Sequence, residues 1–323
     1  VETFYRGALG RRIALGAAAA GSPLTLEDLA AHRAEWVEPL RVRYRNGEAA
    51  SLPPPTQGFA ALAILSLLEG FDIGALPEAD YVHLVVEATK VAFEDRDRYL
   101  TDPTFERVPV EQCLDPAHLA EGRRRISRRA AQQPRGAALD GDTIAIVAAD
   151  AAGNAVSVIQ SLYWEFGSGV IAGDTGILLQ NRGAFFSLDP AHPNRLAPRK
   201  QTAHTLIPSM YLVSGRPHLV YGTMGGEGQP QTQAALVTRS LERGLGPQAA
   251  VEAPRGGGHM MAWLGSMSGA AAGLLVWVGV PPRSPNVTRQ GNAQVLQAPP
   301  RASWGPGKER DAPGPPPKGE ESP

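Results

Sequence analysis

The hydrophobic pattern of this chain changes period at residue 142. Upstream, "EADYVHLVVEATKVAFEDRDRYLTDP" repeats apolar residues at helical spacing and stops before Pro103. Downstream, "TIAIVAAD" and "AVSVIQSLYW" read as two strands about the turn "AAGN". "TLIPSMYLV" and "PHLVYGTM" form a second pair around "SGR", and "GQPQTQAALVTRSLERGL" is a helix closed by Gly244. Helices first, then strands in pairs and a helix, predict a layered α+β domain and not a parallel sheet.

The first hundred residues carry further helical signals. Thr25 is an N-cap candidate, with Asp28 three residues on as a weak capping box. "LRVRYRNG" reads as a strand running into a turn, and "LPPPTQGFAALAILSLLEGF" as a proline-stiffened loop feeding an apolar helix. His83 lies on the long helix and is read as structural. Glu94, Asp95 and Asp97 group their carboxylates, but Arg96 and Arg98 alternate with them, so a solvated helix face is expected and no metal site.

Residues 121–142, "EGRRRISRRAAQQPRGAALDGD", are polar, basic and rich in small residues, and predict an exposed connector. Basic nucleic-acid surfaces interleave aromatic residues; this stretch has none and the whole chain carries a net charge of -1, so no nucleic-acid partner is expected. Cys113 is the single cysteine, which leaves no intramolecular disulfide. The opening "VETFYRGALG" has neither an initiator Met nor a leader, and reads as a cut end. Past Arg255 the composition turns to Gly and Pro. "AWLGSMSGAAAGLLVWVGV" is nearly long enough for a membrane span, yet its four glycines and two serines weaken it, and a poorly ordered tail is expected instead. "NVT" at Asn286 fits a glycosylation acceptor. The division expected is therefore 1–142, mostly helical and ending in the connector, 143–255 as the β-rich core, and 256–323 as the tail.

The chemistry turns on Asp142-Thr143, where the connector meets the first strand. A Thr hydroxyl needs a base beside it, and a Thr at a chain N-terminus supplies its own α-amine. An internal Thr gains that amine only if the chain is cut just before it. Thr143 opens a strand behind a polar linker, as such a site requires, and Gly225-Gly226 follow another strand where backbone N–H groups could face an oxyanion. An ordinary strand start and an ordinary strand-to-helix turn explain the same residues equally well.

Several segments together resemble the gamma-glutamyltransferase family of N-terminal nucleophile hydrolases. "FYRGALGRRIA", "LTLEDLAAH" and "PPPTQG" resemble its large chain, while "GDTIAIVAADAAGNAVSVIQS", "FGSGVIAGDTGILLQNRGAFFS" and "YGTMGGEGQPQ" resemble its small chain. The resemblance runs from residue 1 to about 255. It implies a four-layer α/β/β/α sandwich made from a self-processed precursor whose large and small chains stay paired. It implies Thr143 as nucleophile, freed by cleavage after Asp142, Ser161 as the hydroxyl that orients it, and Gly225 and Gly226 as the oxyanion hole. A small-molecule amide substrate, water or an amine as acceptor, and no metal or organic cofactor follow from the same likeness.

The departures bear on specificity. Where the family holds a substrate's α-amino and α-carboxyl groups with Asn, Gln, Asp and a Ser pair, this chain reads Tyr163, Arg182, Phe185 and His204-Thr205. Phe185 removes the carboxylate that would meet an ammonium, whereas Arg182 suits a carboxylate. That pattern is similar to the acylase branch, and the family's first segment, with its carboxylate-binding arginine, has no counterpart here. Three readings remain: action on γ-glutamyl compounds such as glutathione, a glutaryl (cephalosporin-type) acylase, or a non-catalytic truncated relative.

Overall fold

The computed structural model describes residues 1–127, 142–253 and 273–277. The first stretch holds α1 (Glu2–Tyr5), α2 (Ala8–Ala19), α3 (Leu26–Ala31), the hairpin β1 (Leu40–Tyr44) and β2 (Gly47–Ser51), then α4 (Gly58–Leu68), α5 (Glu78–Tyr99), α6 (Val110–Cys113) and α7 (Pro116–Arg124). From residue 142 follow β3 (Asp142–Ala149), β4 (Ala155–Tyr163), β5 (Ser209–Val213), β6 (Arg216–Thr223), α8 (Gln229–Leu241), α9 (Pro247–Glu252) and β7 (Gly273–Trp277).

Local sequence explains the helix starts. Thr25 and Asp28 close a reciprocal capping box on α3, and Asp115 caps α7 ahead of Pro116 at its first position. α4 is buried nearly all round because nearly every residue is apolar, so it becomes the central helix. α5 buries the apolar stripe Tyr81, Leu84, Val85, Ala88 and Ala92 together with Glu87, Thr89 and Arg96, so Arg96 does not belong to the solvated face expected for it. Its outer carboxylates are paired: Glu94 with Arg125, Asp95 with His118 and Asp97 with Arg96. His83 Nε2 lies 2.6 Å from the Ser127 carbonyl oxygen, as a structural histidine does.

Five antiparallel strands form one sheet in the order β1-β2-β5-β6-β7. Residues from both sides of position 142 thus share one sheet, joined at the β2–β5 seam with Ala49 of β2 opposite Tyr211 of β5. The alternation along β6 separates its two faces. Leu219 and Tyr221 join the core formed with α4, α5 and α8, while Val220 meets Val147 of the β3–β4 ribbon. Gly222 lets the two layers close up, since a Cβ there would stand 3.1 Å from Ala145 and Ile159. The Ser157 hydroxyl adds a 2.9 Å bond to the Tyr221 carbonyl.

The described residues therefore stack as helices, sheet and ribbon. The ribbon's outer face carries Ile144, Ile146, Val156 and Val158, each 45–57% exposed, which is where a second helical layer would lie in a four-layer sandwich. β7 corrects part of the tail expectation: the apolar run "GLLVW" is a strand pairing with β6, Leu275 opposite Tyr221. The connector expected over 121–142 is corrected at its start: α7 runs on to Arg124 with Gly122 buried, Arg123 donates to the Ser66 and Leu67 carbonyls at the end of α4, and Ile126 is buried. Residues 128–141, Asn286 and the rest of the tail lie outside the described residues. Among the described residues no helix is long and apolar enough to cross a membrane.

Candidate active site

β3 begins with a ladder irregularity at Asp142/Thr143. Asp142 stands opposite Tyr163 and Thr143 opposite Ser161, which leaves Leu162 as an extra residue on β4. The inward face of β3 buries Thr143, whose hydroxyl donates to Ser161 Oγ at 3.0 Å. The Tyr163 N–H donates to the same Ser161 oxygen at 2.8 Å. Tyr163 achieves this at a φ of 82°, a left-handed conformation that costs a bulky residue about 1–3 kcal/mol. Strain of that kind persists only where surrounding contacts impose it.

The packing of ribbon on sheet brings β6 to this point. Val220 lies against Val147 and Gly222 against Ala145, so β6 advances toward Thr143 as β3 runs back toward it. The loop after β6 therefore opens beside the threonine. Gly225 and Gly226 adopt φ of 108° and 49°, conformations that favour glycine. The Gly225 carbonyl accepts from the Gly228 N–H at 2.8 Å, which turns the Gly226 N–H on the same peptide to the opposite side. Neither the Gly225 nor the Gly226 N–H has an acceptor among the described residues.

Arg182 lies in a 3₁₀ turn, Arg182–Phe185, and is 6% exposed. Its Nη1 donates to Thr205 Oγ1 at 2.9 Å, and its guanidinium carbon stacks 4.9 Å from the Tyr163 ring centre. Nη2 is buried and has no partner among the described residues. Burial pulls the Arg182 pKa below its ordinary value. Phe185 sets its ring edge against Tyr163 at 5.9 Å. His204 accepts the Leu206 N–H on Nδ1 at 3.2 Å, which assigns the imidazole hydrogen to Nε2. Burial, then the nearby Arg182 charge, lower the His204 pKa to about 4.

All the predicted residues thus gather at one end of β3, β4 and β6. Two more that the sequence reading leaves unassigned join them: Gln57, 1% exposed at the start of α4, and Arg96 of α5. "PPPTQG" marks Gln57 only as part of a stiff loop, and nothing local distinguishes Arg96 from its solvated neighbours.

With this geometry established, comparison with known proteins is specific. The gamma-glutamyltranspeptidase family model matches residues 1–267. The chain belongs to this family. The match extends past Arg255, where the sequence resemblance ends. A relative described as a glutathione hydrolase-like YwrD proenzyme, from Bacillus subtilis, is 49% identical over 259 residues, covering 79% of this chain and 49% of that protein. An oxamate amidohydrolase proenzyme of Klebsiella pneumoniae is 47% identical over 255 residues, covering 79% and 48%. The crystal structure of a cephalosporin acylase from Bacillus halodurans superposes with a TM-score of 0.74 at 36% identity, over 85% of this chain and 55% of that one. The fold is accordingly the α+β arrangement of N-terminal nucleophile hydrolases. The chain spans about half the length of the curated relatives it matches.

Proposed function

We propose that this chain carries the catalytic centre of a self-processing threonine amidohydrolase or acyltransferase, cut between Asp142 and Thr143. The observation that carries the reading is the Thr143 hydroxyl, buried at the irregular first step of β3 and held 3.0 Å from Ser161. After cleavage the Thr143 α-amine, an amine with an ordinary pKa of about 8, takes the Oγ1 proton as that oxygen attacks the amide carbon. The Gly225 and Gly226 N–H groups receive the oxyanion. The leaving amine takes the proton back, an ester on Thr143 remains, and water or an amine resolves it by the same route. These steps call on no metal or organic cofactor. The shared sheet keeps the two cleaved chains together, because β2 of the first pairs with β5 of the second.

For the substrate, the buried, unpartnered Arg182 Nη2 favours an acyl group ending in a carboxylate. Phe185 stands where the family resemblance puts a carboxylate, so the ammonium of a γ-glutamyl group loses that anionic partner. A glutaryl-type acyl group therefore fits better than γ-glutamyl compounds such as glutathione. The relatives' names cover several acyl groups, with a glutathione hydrolase-like proenzyme, an oxamate amidohydrolase proenzyme and a cephalosporin acylase among them. Measuring kcat/KM for γ-glutamyl and glutaryl anilides side by side tests this choice. Glutaryl turnover at least equal to γ-glutamyl is expected; a γ-glutamyl preference above about a hundredfold, some 2.7 kcal/mol, restores the transferase specificity.

A further inference from the structure

We infer that Gln57 is a positioning residue that fixes the distance between the oxyanion loop and the Arg182 seat, and so the acyl length the site accepts. The inference rests on the amidohydrolase reading above. Two consecutive glycines leave a loop with the widest conformational choice, so its shape has to be imposed from outside. Gln57 Nε2 donates to the Gly226 carbonyl at 3.0 Å and to the Thr205 carbonyl at 3.0 Å. The Thr205 hydroxyl in turn receives Arg182 Nη1 at 2.9 Å. One side chain thus spans the oxyanion loop and the residue that holds the guanidinium.

The rest of Gln57 is equally committed. Its Oε1 accepts from Arg96 Nη1 at 3.3 Å, and the same nitrogen reaches the Glu227 carbonyl at 3.4 Å, one residue beyond Gly226. Its backbone N–H donates to the His204 carbonyl at 3.0 Å, and the His204 N–H returns a 2.7 Å bond to the Pro55 carbonyl. Gln57 therefore cannot shift without moving the His204-Thr205 segment with it. Both ends of a bound acyl group, the reacting carbonyl and the terminal carboxylate, would be referenced to this one amide. It also belongs to the segment before the cleavage point, so the first chain would set the register of a site whose reacting groups lie on the second.

The test uses the full-length protein and succinyl, glutaryl and adipyl anilides. Gln57→Glu keeps shape and the acceptor facing Arg96 but replaces two donated bonds with a carboxylate facing two carbonyls; Gln57→Met removes both. The expected result is a variant that still cleaves itself, with kcat on the preferred anilide lowered about tenfold to a hundredfold, the scale of a 1 Å misplacement. The preference among the three lengths, about 10–200-fold per methylene in a fitted pocket, should shrink to about threefold or less. A purely structural role would lower the melting temperature and leave that preference intact, which overturns the inference. If neither variant folds, Arg96→Met, which leaves Gln57 in place but loosens it, is measured for the same loss of length preference, and an unchanged preference there also overturns it. Wild-type protein that turns over none of the three anilides but does turn over γ-glutamyl anilide defeats the carboxylate-ended acyl reading at Arg182 and this inference with it; turnover of neither kind defeats the amidohydrolase reading as well. Active wild type with unchanged length preference in the variants defeats this inference alone.

Discussion

Thr143 and Ser161 face each other across β3 and β4, and the threonine donates its hydroxyl proton to a serine oxygen that the Tyr163 amide already fixes. Ser161→Ala should lower turnover about fivefold, the value of one neutral hydrogen bond of ~1 kcal/mol, with Ser161→Thr restoring it. Steady-state kinetics on self-cleaved protein decides this, and wild-type turnover in the alanine variant would remove Ser161 from the site.

The oxyanion loop makes a sharper demand. A Cβ at Gly225 would meet nothing within 4 Å, so a side chain there fails through backbone strain at φ 108° and not through collision. Gly225→Val should reorient the donors and cost about a hundredfold in kcat, some 2.7 kcal/mol, while the protein still folds and its melting temperature falls only by the few degrees that ~1–3 kcal/mol of local strain implies. Equal turnover in the variant would place the donors elsewhere.

Much of this was legible in the sequence, for reasons that differ by element. The period change at residue 142, the Thr25 capping box and the Gly225-Gly226 pair are local signals, and they appear where local physics puts them. β2 was not legible, because "GEAAS" carries no strand composition and is a strand only by pairing with β1 and β5. β7 was hidden inside a Gly-rich tail, although its apolar run completes the sheet edge beside β6. The contacts of Gln57 and Arg96 with the site span up to 169 residues of chain, a separation that no spacing rule reaches.

Arg182 separates function from stability. A buried guanidinium with one unpartnered nitrogen is a poor stabilising element. Arg182→Met should therefore keep or raise the melting temperature while raising KM for carboxylate-ended acyl anilides about tenfold to a hundredfold, the loss of ~1.5–3 kcal/mol in charge-assisted bonds. Phe185→Asp should move preference toward γ-glutamyl anilides. A fall in melting temperature with unchanged KM would make Arg182 structural.

His204 gives the protein an acid-side dependence of stability. Its pKa falls from an ordinary value near 6.5 to about 4 on folding, so between those values the unfolded chain binds a proton that the folded chain refuses. Stability contributed by the neutral imidazole is whole above about pH 6.5 and is lost as pH drops toward about 4, to a limit of about 3 kcal/mol. Denaturant midpoints at pH 7 and pH 5 should differ more in wild type than in His204→Gln. Equal differences would mean that His204 titrates normally.

The central claim is that Thr143 becomes a chain N-terminus, and sequencing the fragments of purified full-length protein addresses it most directly. The account predicts two pieces, the second beginning Thr-Ile-Ala-Ile, and a single intact chain for Thr143→Ala. Wild-type protein that stays whole under folding conditions, or that is cut at any other bond, would contradict it.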